Sequence, residues 1–387
     1  MKTIQLLESD SMYGSLSQPI TSLTFYSGNA SSIETFLKQR IYEITELNPW
    51  LLGSLRKEDS HLNLVYSNDN IADEFKRKRT IIITEDSQLN ECADYDDIMT
   101  RIKNLNISLN CFVVNKDESL FRVCLIRISS TKFAILFSLN HTLGDGYTFY
   151  QLYGMLNQQS KPRSLIVDRF HEFDAMKEEL IGRDNWYKLS FILKLVLKSL
   201  FCKPYIGTIH NVDLIAIEEF KVEYKKQSNS PDDFISTNDI LTSWYFSNCK
   251  MDVGEMLVSL RDRFSQLTPD HAGNYISTIM YQKGDFEHPS KIRASMKSCR
   301  RVKSDIPLIS SFQCAVSGKK YTFITSWVSL YMDVELSDCN QIIHLPIFYP
   351  QSVFKFGVLF RAKKDELKCL TLSKDKSSSR KTIPNRN

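Results

Sequence analysis

The chain alternates between apolar runs of strand length and apolar stripes with helical spacing. Residues 20–27 are typical of a strand, and the apolar positions that follow recur every three or four residues until Pro49, which predicts a helix. The runs 120–128 and 132–139 flank a short polar turn, so we expect them to form a hairpin. These elements predict a sheet in the first half of the chain.

The second half repeats this mixture of signals. Residues 236–239 read Ser-Thr-Asn-Asp, side chains that cap helices, and apolar residues follow at helical spacing. Apolar runs over 321–330 and 354–360 predict strands. Because strand and helix signals are interspersed in both halves of a 387-residue chain, we expect a mixed α/β (α+β) protein with two domains.

Polar and charged stretches suggest where the domains end. We place an N-terminal domain at 1–170, a crossover and linker at 171–234, and a C-terminal domain at 235–373. The tail at 374–387 is basic and lacks apolar periodicity, so we expect it to be disordered.

One apolar run, 189–201, is interrupted by Lys194 and Lys198 and is too short to span a bilayer. It fits a packed crossover helix whose lysines reach water. It also fits an amphipathic helix that rests on a membrane surface. Because the N-terminus has no apolar leader, we expect a cytoplasmic protein; the second interpretation of this run would associate it with a membrane surface.

Composition excludes several classes of partner. The net charge of +4 is small and not clustered, which argues against binding to nucleic acid. Nine cysteines are scattered without any CxxC pair, so neither a zinc ribbon nor a thioredoxin-like site is indicated. No metal ligand spacing is present, and we expect no metal.

The best candidate for chemistry is His141, which directly follows the second arm of the predicted hairpin. Residues 147–156 then carry a helical stripe, so His141 lies in a turn between strand and helix. Imidazole is a suitable general base near neutral pH, and Gly144 and Gly146 would let a substrate or backbone approach. Asp145 would more naturally point into the protein and need a cationic partner there. From this turn alone, a purely structural histidine and aspartate remain an alternative.

Three further segments follow this HxxxDG motif in a characteristic order: STND at 236–239, RxR followed by GN between Arg261 and Asn274, and ITSW at 324–327. Together with HxxxDG they resemble the coenzyme A-dependent acyltransferase superfamily, which includes BAHD acyltransferases, alcohol acetyltransferases, chloramphenicol acetyltransferase and condensation domains. The DFGWG motif of plant-type members is replaced by Asp-Val-Glu-Leu-Ser at 333–337.

The resemblance implies two chloramphenicol-acetyltransferase-like domains with the active site in the channel between them. His141 would be the general base, Asp145 would form a structural salt bridge with Arg261, and Thr325 would donate a hydrogen bond to the oxyanion. The implied catalytic set is His141, Asp145, Gly146 and Thr325, and the implied coenzyme A contacts are Ser236, Thr237 and Asn238.

The function that follows is transfer of an acyl group from acyl-CoA to an alcohol, or less commonly an amine, by direct attack. No permanently bound cofactor is implied, since acyl-CoA is a co-substrate, and a monomer is expected. A non-catalytic binding protein of the same fold and a condensation-type domain that uses a carrier-protein thioester are the alternatives. The sequence leaves open the acyl chain length and the identity of the acceptor.

Overall fold

The protein contains a three-stranded, a five-stranded and a seven-stranded sheet with helices packed around them, in a computed structural model. No helix in the described part is both long and apolar enough to cross a membrane. The run 189–201 lies outside the described residues. These are 1–11, 18–59, 61–109, 112–181, 205–228, 233–302, 307–310, 313–314, 319–348, 355–373 and 382–383.

Helices and strands are mixed along the whole chain, as the interspersed patterns predicted. The strands are β1 (Lys2–Gln5), β2 (Ile20–Ser27), β3 (Ser54–Glu58), β4 (His61–Tyr66), β5 (Ile81–Glu85), β6 (Phe121–Ser129), β7 (Lys132–Leu139), β8 (Ile206–Val212), β9 (Val253–Ser259), β10 (Ile276–Gln282), β11 (Tyr321–Ser326), β12 (Asn340–Ile347), β13 (Lys355–Lys363), β14 (Glu366–Ser373) and β15 (Thr382–Ile383). The helices are α1 (Ala30–Leu47), α2 (Ile71–Arg77), α3 (Tyr95–Ile102), α4 (Gly146–Gly154), α5 (Phe173–Ile181), α6 (Leu214–Gln227), α7 (Thr237–Asn248) and α8 (Pro289–Ser298), with 3₁₀ turns at Pro49–Leu52 and Arg261–Arg263.

The five-stranded sheet runs in the order β12-β2-β7-β6-β5. Strands β6 and β7 pair antiparallel, which confirms the predicted hairpin. After its first residue, every residue of β7 is buried, and the strand is paired with β2 on one edge and with β6 on the other. The strand that leads to His141 is therefore held at the centre of the core.

The seven-stranded sheet runs in the order β10-β9-β11-β13-β14-β8-β15. Strand β11 pairs parallel with both β9 and β13, whereas β13 and β14 form an antiparallel hairpin. The sheet is thus mixed, in agreement with the predicted fold class. The predicted strand over 321–330 ends earlier, at Ser326, where the chain turns at Trp327.

The two large sheets do not separate at a single point along the chain. Strand β12 comes from the C-terminal half but pairs antiparallel with β2 in the five-stranded sheet. Strand β8, from the segment expected to be a linker, pairs with β14. In the tail, Thr382–Ile383 pairs with β8; the rest of 374–387 lies outside the described residues, and disorder of the tail stays a prediction. The division at 171–234 stays a prediction.

Candidate active site

His141 lies on a short loop, residues 140–145, which we call the histidine loop. The loop joins the buried end of β7 to the first turn of α4. Asn140 Oδ1 accepts a hydrogen bond from Thr142 N at 3.0 Å and sets the turn. At Gly144 a Cβ atom would lie 2.6 Å from the Thr148 side chain, so only glycine fits there. The close neighbour at Gly144 is therefore the Thr148 side chain, whereas the sequence led us to expect a substrate or backbone there.

Asp145 anchors the loop through a buried ion pair with Arg261. Asp145 Oδ2 lies 2.5 Å from Arg261 Nη1, and the two side chains are 1% and 5% exposed. Asp145 Oδ1 accepts from Thr148 N at 3.1 Å and so caps α4, while Oδ2 also accepts from Tyr275 N at 3.2 Å. This is the pair that the sequence resemblance implied. Its hydrogen bonds tie the histidine loop to the second half of the chain.

A second buried ion pair, between Asp10 and Arg169, lies beside the first. Asp10 Oδ2 is 2.7 Å from Arg169 Nε, and neither side chain is exposed. Arg169 also donates to the carbonyl oxygens of Leu143, at 3.1 Å, and Ala272, at 2.9 Å. The N-terminal segment therefore reaches the histidine loop. Sequence reasoning missed this pair, because no local pattern connects two residues that lie 159 positions apart.

Asn274 links the ion pairs to the imidazole. Its Nδ2 donates to His141 O and to Asp10 Oδ1, each at 2.8 Å. Both partners only accept, so the amide orientation is determined and its Oδ1 must face His141 Nδ1, at 3.1 Å. Since amide oxygen only accepts, Nδ1 must carry the proton. The lone pair of the neutral ring is then on Nε2, the nitrogen that can act as a base.

The surroundings of His141 hold its pKa below the ordinary imidazole range. Burial of the ring lowers the pKa, because a charged imidazolium is poorly solvated there. A hydrogen bond to its own backbone, the negative charges of Asp145 and Asp10, and the hydrogen bond to Asn274 oppose this effect and only partly offset it. The ring is therefore neutral near pH 7, as a general base must be.

The end of β11 meets the start of α4. Thr325 is the penultimate residue of β11 and is partly exposed. Two positions on, the Trp327 ring lies 6.3 Å from Phe149 and 5.8 Å from Tyr150, measured between ring centroids. A Cβ atom at Gly146 would lie 3.5 Å from Trp327 Nε1. Packing through Trp327 thus brings the strand that carries Thr325 against the helix that follows the histidine loop.

The residues predicted to contact coenzyme A lie at the start of α7. Ser236 Oγ accepts from Asp239 N at 3.2 Å, and Ser236 N donates to Asp239 Oδ2 at 2.7 Å, which forms a capping box. Asp239 also pairs with Arg293, at 2.6 Å. These contacts account for Ser236 and Asp239 as helix-capping residues. A role for Ser236, Thr237 and Asn238 toward coenzyme A stays a prediction.

Comparison with known proteins places this geometry in a recognised fold. No protein-family model and no curated protein matches the sequence. Among solved structures, F. graminearum TRI101 complexed with coenzyme A and deoxynivalenol is 13% identical, with a TM-score of 0.61 over 96% of this chain and 95% of that one. Vinorine synthase is 12% identical, with a TM-score of 0.65 over 96% of this chain and 90% of that one. Polyketide synthase associated protein 5 from Mycobacterium tuberculosis is 12% identical, with a TM-score of 0.61 over 96% of this chain and 93% of that one.

These alignments span nearly the whole chain in each case, so the likeness is to a complete fold rather than to a shared motif. TRI101 and vinorine synthase are BAHD acyltransferases. The chain therefore has the fold of the coenzyme A-dependent acyltransferases, as the resemblance in its sequence implied.

Proposed function

We propose that the protein transfers an acyl group from an acyl-CoA thioester to a hydroxyl-bearing, or alternatively amine-bearing, small molecule. The observation that carries this proposal is the state of His141, with Nδ1 facing the oxygen of Asn274 and the lone pair on Nε2. This base stands on a loop fixed by two buried ion pairs. The solved structure of TRI101 with a similar fold holds coenzyme A and deoxynivalenol, which supports the same donor class here.

The proposed reaction is a direct attack without an acyl-enzyme. His141 Nε2 takes the proton of the acceptor hydroxyl as the acceptor oxygen bonds to the thioester carbonyl carbon. The resulting oxyanion would receive a hydrogen bond from the Thr325 hydroxyl. The C–S bond then breaks, the imidazolium returns its proton to the leaving sulfur, and the products are the ester and free coenzyme A. Asp145 takes no part in proton transfer and keeps the loop in place through Arg261.

The proposal is tested by following release of the coenzyme A thiol. The purified protein would be offered short- and long-chain acyl-CoA donors with a panel of alcohols and amines. We expect turnover with at least one pair, and a fall of roughly 10²–10⁴-fold in His141→Ala, the usual contribution of a general base. His61→Ala is the matched control, because His61 is an exposed histidine on β4.

The alternatives predict different results. A non-catalytic protein of this fold would release no thiol, and failure to bind acyl-CoA or any other thioester would favour that alternative. A condensation-type domain would remain inactive with acyl-CoA but consume a carrier-protein thioester. Turnover with acyl-CoA that is unchanged in His141→Ala would overturn the assignment of the base.

A further inference from the structure

The N-terminal segment contributes a completely buried carboxylate to the neighbourhood of His141. Asp10 Oδ2 accepts from Leu7 N at 3.1 Å and from Arg169 Nε at 2.7 Å. Asp10 Oδ1 accepts from Asn274 twice, from N at 3.2 Å and from Nδ2 at 2.8 Å. Four donors thus occupy one carboxylate, a geometry that fixes every group around it.

We propose that Asp10 is a positioning residue for His141: it orients the side-chain amide of Asn274, and the amide selects the tautomer of the histidine. The inference rests on the proposed function, in which His141 Nε2 is the base. Asp10 acts through Asn274 and does not itself touch the ring.

The orientation of the Asn274 side-chain amide depends on Asp10. In the present orientation both Nδ2 protons of Asn274 have acceptors, Asp10 Oδ1 and His141 O. Removing the carboxylate takes away one of the two acceptors that hold this orientation, so the flipped amide gains population. It stays the minor form, because its oxygen would then face His141 O. A flipped amide presents an N–H to His141 Nδ1, which would draw the lone pair to Nδ1 and place the proton on Nε2. That tautomer cannot accept a proton at Nε2.

Arg169 gives this arrangement its rigidity. The guanidinium donates to Leu143 O on one side and Ala272 O on the other, and its charge is balanced by Asp10 inside the protein. The segment before Asn274 and the loop after His141 are therefore fixed by the same side chain that fixes Asp10. A change at Asp10 is expected to reach His141 through both routes.

A matched control exists in the second half of the chain. Asp285 accepts from a backbone N–H, that of Gln282 at 2.8 Å, and from Arg301 Nε at 2.7 Å, as Asp10 does from Leu7 and Arg169. Its side chain is 9% exposed. It has no described contact with Asn274. Asp285→Asn thus disturbs a similar ion pair without touching the histidine loop.

The experiment measures the tautomer directly, by imidazole nitrogen NMR of the full chain labelled with nitrogen-15 histidine. His141→Gln identifies the His141 signals among the seven histidines. We expect wild type and Asp285→Asn to carry the proton on Nδ1. In Asp10→Asn we expect a mixture that includes the Nε2-protonated form, and a fall in kcat of roughly ten- to hundredfold with the KM for acyl-CoA within about twofold.

Two results would overturn the inference. The first is a His141 ring protonated on Nε2 in the wild-type protein, a result that does not depend on whether any variant folds. The second is a folded Asp10→Asn, or Asp10→Ser if the first variant does not fold, with the wild-type tautomer and the wild-type kcat. Because the tautomer is read without substrate, failure of the proposed acyl transfer would appear separately, as a lack of turnover in a protein with the expected spectrum.

Discussion

Replacement of Asp145 by alanine should destabilise the fold far more than loss of an ordinary ion pair. The carboxylate is 1% exposed and pairs with an arginine that is 5% exposed, so its removal leaves a buried charge without its partner. Breaking such a pair costs about 3–5 kcal/mol, and loss of the cap on α4 adds about 1 kcal/mol. Backbone N–H groups of Thr148 and Tyr275 also lose their acceptor. We expect the free energy of unfolding to fall by about 4–6 kcal/mol.

Urea denaturation followed by tryptophan fluorescence measures this loss. Asp86→Ala is the control, because Asp86 pairs with Arg101 at the surface, where the side chains are 25% and 33% exposed. Such a pair is worth about 0–1 kcal/mol. The double variant Asp145→Ala, Arg261→Met removes both buried charges and should recover part of the stability lost in the single variant.

A loss at Asp145 no larger than that of the surface control would refute this reasoning. It would show that the loop is held without the ion pair. A large fall in kcat with unchanged stability would instead make Asp145 a partner of His141 in proton transfer.

The remaining predictions concern pH, backbone strain and helix capping. Burial lowers the pKa of His344 to about 3, so between about pH 3 and pH 6.5 the unfolded chain binds more protons than the folded protein. The free energy of unfolding therefore decreases as the pH is lowered through that window. On going from pH 7 to pH 5, wild type should lose roughly 2 kcal/mol more than His344→Gln in denaturant titrations. Burial also lowers the pKa of His141, against the opposing charges of Asp10 and Asp145. The apparent pKa of the acidic limb in the pH profile of kcat/KM should therefore lie below the ordinary imidazole range, and an apparent pKa above that range would contradict the effect of burial. Gly273→Ala should cost about 1–3 kcal/mol of unfolding free energy, since Gly273 has φ +149° and its Cβ would lie 2.9 Å from Tyr275; Gly284→Ala, with φ +96° and open space, isolates the backbone contribution. Ser236→Ala should lower the unfolding free energy by about 1 kcal/mol, because α7 loses its cap; a rise in the KM for acyl-CoA in the same variant would support the predicted contact with coenzyme A, whereas an unchanged KM would limit Ser236 to capping.

The elements nearest to His141 were predictable because their signals are local. Strand β2 begins and ends at its predicted limits, Ile20 and Ser27, and the β6–β7 hairpin lies within a residue of its predicted limits. Buried strands favour apolar, aromatic and β-branched residues, and these dominate all three strands. The turn after β7 and the helix α4 follow from glycine, aspartate and a helical stripe in adjacent positions.

The rest depends on pairing between distant segments. Strand β12 begins with the polar residues Asn340 and Gln341 and contains Pro346, and its partner β2 lies more than 300 positions earlier, so no local pattern reveals it. The pair Asp10–Arg169 is equally invisible, since either residue alone would be interpreted as exposed. In the sequence, Asn274 was only the second residue of the GN pair in the resemblance, with no role assigned to it. Its function as the group that orients His141 emerges from the contacts of both its amide atoms.

The most direct test of His141 as the general base is the turnover of acyl-CoA by His141→Ala, measured together with coenzyme A binding by calorimetry. We expect the variant to bind coenzyme A with wild-type affinity, while thiol release in the presence of an acceptor falls roughly 10²–10⁴-fold. Wild-type turnover in a folded variant that still binds coenzyme A would contradict it.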